Sequence, residues 1–309
     1  LTALEEILKV LKLISQGRYP LNNKIDLRLD LDFIMPFSNV LHVHFADKLK
    51  ATMLAGFSEL AIQPQEVKKI NRLGLSIADM KFMAEDHGVT ISRLDPLCSW
   101  NPDWHPINMD NTFISEHSIT AHDFFLMCEE LGCSHMSLNA QFPQDRYSFK
   151  QQVEHYAEIC RLANEYALVC DLEPIPMWGV RTLQQGWDIV READAANGGL
   201  VFDTLHFVRS HSTLDVLRTI PGEKIHCVQI CDGLLPLAEG VTLEQDCFNR
   251  MWPGTGHFPL AEIVSVLEHI GGLNQVGPEV FSLSNQSMSA EQIAHACRSS
   301  LANYPELNQ

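Results

Sequence analysis

From about residue 40 onward the chain settles into a rhythm in which short apolar, β-type runs alternate with amphipathic segments of helix length, the signature of βαβ units built on a parallel sheet. Eight runs stand out, at 40–45, 59–63, 89–94, 135–140, 169–174, 200–205, 225–231 and 275–281. The helical segments between them are clearest at 149–166, 182–196 and 259–270, and 290–302 closes the series. Eight parallel strands, each followed by a helix, are met most simply by a closed (β/α)8 barrel, an α/β fold. An open doubly wound sheet of similar length is the alternative that pattern leaves open.

Upstream the pattern changes. Apolar positions at Leu1, Leu4, Ile7, Leu8, Leu11 and Ile14 have helical spacing and Gly17 offers a stop, so residues 1–17 are expected to form an appended amphipathic helix. Residues 18–38 contain the alternation Ile25-Asp26-Leu27-Arg28-Leu29-Asp30-Leu31-Asp32-Phe33, a period of two that predicts a half-exposed strand. The expected organisation is an N-terminal extension over 1–38, with an extra helical segment, packed on one barrel domain over 39–309. No Gly/Ser tract, charge block or repeat divides the remainder.

Composition narrows the function classes. With 309 residues and 46% hydrophobic content the chain can bury a large core. A formal net charge of −17 argues against a surface that grips a phosphate backbone, so neither nucleic acid nor an anionic membrane is an expected partner. No apolar run approaches the roughly 20 residues that span a bilayer, and Glu5 and Glu6 interrupt the segment a signal peptide would need. Nine cysteines include no CxxC pair, and Cys128, Cys160, Cys170 and Cys297 sit in apolar runs where a reduced thiol acts as a small hydrophobe. The expected location is therefore cytoplasmic. A homo-oligomer is allowed by the composition.

In a barrel, chemistry gathers at the C-terminal ends of the strands. The later runs each end on a polar side chain: Glu173 in Asp171-Leu172-Glu173-Pro174, Asp203 after Leu200-Val201-Phe202, Gln229 in Cys227-Val228-Gln229-Ile230-Cys231, and Glu279 in Gly277-Pro278-Glu279. Strand alternation puts Cys227, Gln229 and Cys231 on one face, where the thiols can fill barrel layers around the amide. Three carboxylates and an amide oxygen facing one another would repel without a cation, and together they make a hard, oxygen-rich ligand set suited to Mg²⁺ or Mn²⁺. Zinc would prefer histidine or cysteine. Each of the four, taken alone, reads equally well as a helix cap or a buried hydrogen-bond partner, and Asp203 could simply cap the helix that follows.

The order and spacing of these segments resemble the xylose isomerase-like TIM barrel family, over roughly residues 40–305. The segments that carry the resemblance are Leu172-Glu173-Pro174, Asp203-Thr204-Leu205-His206, Gln229-Ile230-Cys231-Asp232, the run from Arg250-Met251-Trp252-Pro253-Gly254 to Pro259-Leu260, and Gly277-Pro278-Glu279-Val280-Phe281-Ser282. The family includes sugar and sugar-phosphate isomerases and epimerases, inosose dehydratase, dehydroshikimate dehydratase and endonuclease IV. The resemblance implies one divalent metal ion, Mn²⁺ or Mg²⁺ with Co²⁺ or Zn²⁺ as alternatives, held by Glu173, Asp203, Gln229 and Glu279. It also implies that His206 and Arg250 meet the substrate. Many isomerases of the family have histidine where this chain has Gln229, and an acid at the end of the second strand where it has Ala61-Ile62-Gln63.

The activity this implies is that of a metal-dependent isomerase or epimerase acting on a sugar, a cyclitol or a ring ketone through an enediolate. Glu173 and Glu279 are the expected acid and base, with His206 as a third catalytic group. The alternative is a dehydratase (a lyase) of the inosose or dehydroshikimate type, which shares the first half-reaction. Phosphodiester cleavage is disfavoured by the acidic chain and by Gln229.

Trp100, Trp104 and His105, on the loop after the third run, are expected on the substrate-binding rim or, equally, as a cap on the barrel. His42 and His44 form an H-x-H like the metal pair of amidohydrolases. That superfamily needs histidines on strands five and six, so packing is the expected role of His42, with His44 a candidate for the pocket lining. Gly254 and Gly256 offer a loop that phosphate could use, but no lysine accompanies them.

Overall fold

A computed structural model describes residues 27–105 and 109–308. Its eight strands are β1 (Ile34–Met35), β2 (Glu59–Ile62), β3 (Thr90–Leu97), β4 (His135–Asn139), β5 (Val169–Glu173), β6 (Gly198–Asp203), β7 (Ile225–Ile230) and β8 (Val276–Pro278). They lie side by side in sequence order, and every paired neighbour is parallel. A parallel bridge between Phe33 and Val276, with the Val276 amide donating to Asp32 O at 2.9 Å, brings the last strand back to the first. The expected (β/α)8 TIM barrel is the fold observed.

The helices begin where the sequence offers caps. Ser148 with Gln151, Thr182 with Gln185 and Ser289 with Gln292 form reciprocal capping boxes at the helices Phe149–Asn164, Leu183–Ala193 and Ala290–Leu301. The apolar faces of these helices pack on the outer face of the sheet, in one large core of buried residues. A small second apolar group, Ile34, Ala61, Val201 and Cys227, is drawn from β1, β2, β6 and β7.

The start of the barrel differs from expectation. The first strand is Ile34–Met35, not 40–45, and so lies inside the stretch read as an extension. Val40 ends a helical turn, Phe37–Val40, and Phe45 opens the helix Phe45–Ala55. Leu41 and His42 are exposed, so the run does not alternate as a strand against a core would. Asn39 explains part of the path: its amide donates to Pro278 O at 2.6 Å and its carbonyl accepts from the Val280 amide at 3.0 Å, pinning the turn to the end of β8. The alternating stretch before β1 is not a strand where it is described. Leu27 bridges Asn308 and a turn follows. The helix expected at 1–17 lies outside the described residues.

The N-terminal ends of the strands are closed by a polar ring built on the buried Asp171 and Arg93 and on half-buried partners. The Asp171 carboxylate (β5) accepts from Arg93 Nη2 (β3) at 2.7 Å, His135 Nδ1 (β4) at 3.1 Å and His226 Nδ1 (β7) at 2.6 Å. Arg93 also donates to Gln275 Oε1 at 2.6 Å, and Gln275 donates to Glu59 (β2) at 2.8 Å. His226 reaches Asp171 by crossing β6 over Gly199, where a Cβ would stand 2.2 Å from its Nδ1. This accounts for the second glycine of the Gly198-Gly199 pair. Burial works to raise the Asp171 pKa, but the Arg93 charge and the two histidine hydrogen bonds outweigh it and hold the carboxyl far below the usual range.

Replacing Asp171 by Asn should cost about 3–5 kcal/mol of stability in urea titrations, because Arg93 is left as a buried unpaired charge. The sign with pH follows from the depressed pKa: the contribution is present above about pH 4, near the unfolded aspartate value, and is lost as the pH falls below it. The variant should therefore show a flatter acid limb than the wild type.

Candidate active site and metal centre

Parallel strands bring their C-terminal ends to one face of the barrel, and the structure places the four expected oxygen donors there. Glu173 is the last residue of β5 and Asp203 the last of β6, Gln229 is next to last on β7, and Glu279 follows β8 directly. Asp203 and Gln229 are register partners, as are Gln229 and Gly277, so consecutive strands present these groups at similar height. With His206 and Arg250 they form a group in which no residue is more than 5% exposed.

Arg250 sits inside this group. Its Nη1 donates to Asp203 Oδ2 at 2.6 Å and to Glu279 Oε2 at 2.8 Å, while its backbone amide donates to Phe281 O at 2.8 Å. The guanidinium also lies over the Phe281 ring, 5.2 Å from the centroid. Gln229 Nε2 donates to Glu279 Oε1 at 3.1 Å, which leaves Gln229 Oε1 buried without a partner. Asp203 serves as both cap and site residue: its Oδ1 accepts from the His206 amide at 2.9 Å, opening the helix Thr204–Arg209, while Oδ2 meets Arg250. The turn puts His206 Nε2 3.5 Å from Glu173 Oε1 and leaves its Nδ1 buried and unpartnered. Glu173, Asp203 and His206 offer ligand atoms that all lie within 4.8 Å of one another.

Burial and the neighbouring Asp95, Asp203 and Glu279 push Glu173 well above the usual carboxylate range, and burial does the same to Glu279. Burial also acts to raise Asp203, but Arg250 and His206 overcome it and hold that carboxyl low. His206 is pushed down to about 4, chiefly by burial. One guanidinium is thus too little charge for three buried carboxylates. The orphaned Gln229 oxygen beside them is the kind of donor a hard divalent cation takes up, and of the carboxylates Glu173 and Asp203 offer ligand atoms within 4.8 Å of each other.

The remaining expectations resolve differently. Trp100 is packed inward: its indole donates to Asn139 O at 2.9 Å and its ring meets Phe142 and Tyr156 edge-on. Trp104 is buried and stacks on the exposed His105 at 4.7 Å. None of the three lines the cavity of about 320 Å³ beside Arg250, whose walls include Leu234, Asn249, Met251, Trp252 and Ser282. The aromatic in that wall is Trp252, which the sequence reading did not select. His42 and His44 are exposed and off the strands, His42 bonding Met288 O at 2.9 Å. The glycine loop is already filled: the Asp232 carboxylate accepts from the amides of Gly254 at 3.1 Å, Gly256 at 2.8 Å and Phe258 at 2.9 Å, so it occupies the place a phosphate would take.

One buried acid was missed. Asp95 on β3 is raised to about 6, mainly by burial, and adds to the field on Glu173. The signal lies in Arg93-Leu94-Asp95, whose alternation puts arginine and acid on one face, but the expected strand stops at Leu94, three residues before β3 ends.

A carboxylate-rich cluster at the C-terminal mouth of a (β/α)8 barrel defines a class of barrel protein built for chemistry at that face. The chain belongs to the xylose isomerase-like TIM barrel family, whose profile matches residues 49–300. It is similar to an inosose isomerase from Bacillus velezensis, 32% identical over 70% of this chain and 76% of that protein. It is also similar to a 3-dehydroshikimate dehydratase from Pseudomonas aeruginosa, 37% identical over 34% of this chain and 17% of the dehydratase. Among solved structures, IOLI protein with a binding zinc atom superposes with a TM-score of 0.76 at 21% identity, covering 88% of this chain and 97% of that one. Among the described residues, no helix is long and apolar enough to cross a membrane.

Substituting Gln229 by Leu should weaken Mn²⁺ binding at least about tenfold by calorimetry, since an oxygen donor is lost. The melting temperature measured in chelator should change little, because Leu removes the orphaned oxygen but also takes the Nε2 donor away from Glu279 Oε1. Unchanged Mn²⁺ affinity would show that the ion is held without this amide.

Proposed function

We propose that the protein is a divalent-metal-dependent isomerase or epimerase acting on a sugar or other polyhydroxylated carbonyl compound. The observation that carries this reading is the unpartnered Gln229 oxygen buried among three carboxylates at the strand ends. Mn²⁺ or Mg²⁺ suits those oxygens best; Co²⁺ and Zn²⁺ are the alternatives, zinc being the ion named with IOLI protein. When bound, such an ion supplies a positive field that polarises a carbonyl and acidifies the adjacent C–H.

The chain's own groups move the proton. Glu173 and Glu279 stand on β5 and just after β8, on different sides of the mouth, so one can take a proton from the carbon and the other return it on the opposite face. His206 Nε2, 3.5 Å from Glu173, can pass a proton to or from that carboxylate, and Arg250 orients Asp203 and Glu279. Burial of the whole group keeps water from competing for these protons.

A dehydratase of the inosose or dehydroshikimate type is the second reading. It is favoured by the free His206 Nδ1, a ring nitrogen available to serve a departing hydroxyl, and by the likeness to a 3-dehydroshikimate dehydratase. Incubation with inososes, ketoses and 3-dehydroshikimate in heavy water, with each metal in turn, separates the two. Isomerisation exchanges hydrogen for deuterium with no loss of water, whereas dehydration removes one water. No change in any substrate with any metal would sink both. The variant His206→Asn should lower turnover by about 10²–10⁴, the usual worth of a positioned acid or base, while metal content measured by mass spectrometry stays at the wild-type level.

A further inference from the structure

At the N-terminal end of the barrel, His226 is held at both ring nitrogens by groups that can only accept. Its Nε2 meets Glu223 O at 2.9 Å and its Nδ1 meets Asp171 Oδ1 at 2.6 Å. A carbonyl has no proton to give, and Arg93 keeps the buried Asp171 carboxyl ionised, so neither partner can donate. A neutral imidazole carries one N–H. Once Glu223 O accepts it from Nε2, the Nδ1 lone pair points at a carboxylate. That contact holds only with positive charge at Nδ1, either a second proton on the ring or a metal ion.

His135 on β4 favours the ion. Its Nδ1 reaches Asp171 Oδ2 at 3.1 Å, so two imidazole nitrogens converge on one carboxylate, and the ligand atoms of His135, Asp171 and His226 all lie within 4.8 Å of one another. A second proton on His226 would need no second ring. Two histidines and a carboxylate are a donor set for zinc and other borderline ions, not for Mg²⁺. Glu223 O orients His226 in the manner usual for metal-binding histidines, whose far N–H goes to a carbonyl or carboxylate. The Asp171 side chain is fully buried, while those of His135 and His226 are 21% and 20% exposed, which gives an ion an entry path and lets water complete its shell. Glu59 is near enough for His135 to act on its carboxyl, so an entering cation meets an acid there as well as Arg93. A tetrahedral zinc with bonds of about 2.0–2.1 Å holds its ligand atoms about 3.3 Å apart; the 3.1 Å contact already suits it and the 2.6 Å contact opens by less than about 1 Å.

We propose that His135, Asp171 and His226 form a second metal site, at the N-terminal end of the barrel, that takes zinc or a similarly borderline divalent ion. The site lies at the other end of the strands from the oxygen-rich mouth and does not depend on how that mouth is read. An ion there joins β4, β5 and β7 by direct bonds, so it braces the barrel, with Arg93 still on Asp171 Oδ2.

The test is zinc titration of chelator-treated wild type, His135→Gln and His226→Gln, glutamine keeping a donor for Asp171 without an imidazole nitrogen. Bound metal is counted by mass spectrometry, folding is checked by melting temperature in chelator, and the ring nitrogens are followed by NMR on wild type labelled with ¹⁵N-histidine. Wild type should take up one more zinc per chain than either variant, whatever the mouth binds, and each variant should weaken that ion at least about tenfold. The Nδ1 signals of His135 and His226 should both move with zinc and stay in place with Mg²⁺ at the same concentration. Equal zinc uptake by wild type and the folded variants, or Nδ1 signals that zinc leaves unmoved, would overturn the site and leave His226 a doubly protonated ring; the NMR measurement decides even where a variant does not fold. Signals moved equally by Mg²⁺ would overturn the assignment to a borderline ion. Zinc held here with no ion of any kind at the mouth would leave this site standing and sink the metal-dependent isomerase reading instead.

Discussion

The constraint that shapes the mouth of this barrel is the cost of burying three carboxylates together. Burial, with the neighbouring acids, drives Glu173 and Glu279 toward the neutral acid, and only Asp203, which has both Arg250 and the His206 amide, stays readily ionised. Arg250 is the single cation among them, so the loop that carries it is held firmly. The Asp232–Met251 bridge, the amide of Arg250 on Phe281 O and the collar of glycine amides around Asp232 all fix that loop to the strand ends. A second cation would change the balance: the same oxygens would then be ligands, and Arg250 would be freed in part to meet a substrate.

The opposite end of the barrel solves the same problem with no charge to spare. There Asp171 has Arg93 and two histidines, and the ring extends through Gln275 to Glu59. Those contacts tie β3, β4, β5, β7 and β2 together, with Gln275 just before β8, so the ring works as a girdle for a barrel whose first strand is only two residues long. An interior layer that includes Val201 and Cys227 comes from the same strands that carry His226 and Asp203. The strand ends can therefore be tuned for stability at one face and for chemistry at the other with little interference, as in barrels generally.

Much of this was legible in the sequence, and the misses share a cause. The polar ends of β5, β6 and β7 can be read because those strands are long enough to show their apolar run before the polar residue, and that of β8 through its Gly277-Pro278-Glu279. β1 could not, because two residues carry no periodicity, and the apolar run at 40–45 drew the strand to itself. Asp95 is missed for a related reason: an interior polar residue breaks the pattern by which a strand is found, so it reads as the edge of an element when it stands inside it, whereas Arg93 and Asp171 fall within the expected runs. For Trp100 the sequence leaves rim and barrel cap equally open, and the indole's carbonyl partner on β4 accords with the cap.

Gln229 shows why residue type can inform function even where geometry was not foreseeable. As a ligand, an amide neither carries charge nor titrates, so it neither helps neutralise an ion nor releases it as the pH falls through the range where histidine protonates. Its other half is already spent on Glu279, with the nitrogen donating and the oxygen left over. That orientation is informative. Turned the other way, Nε2 would occupy the orphaned position and the oxygen would meet Glu279, a contact that is favourable only while that carboxyl is protonated. Ionised Glu279 thus selects the orientation in which the amide presents its oxygen to positive charge at the mouth.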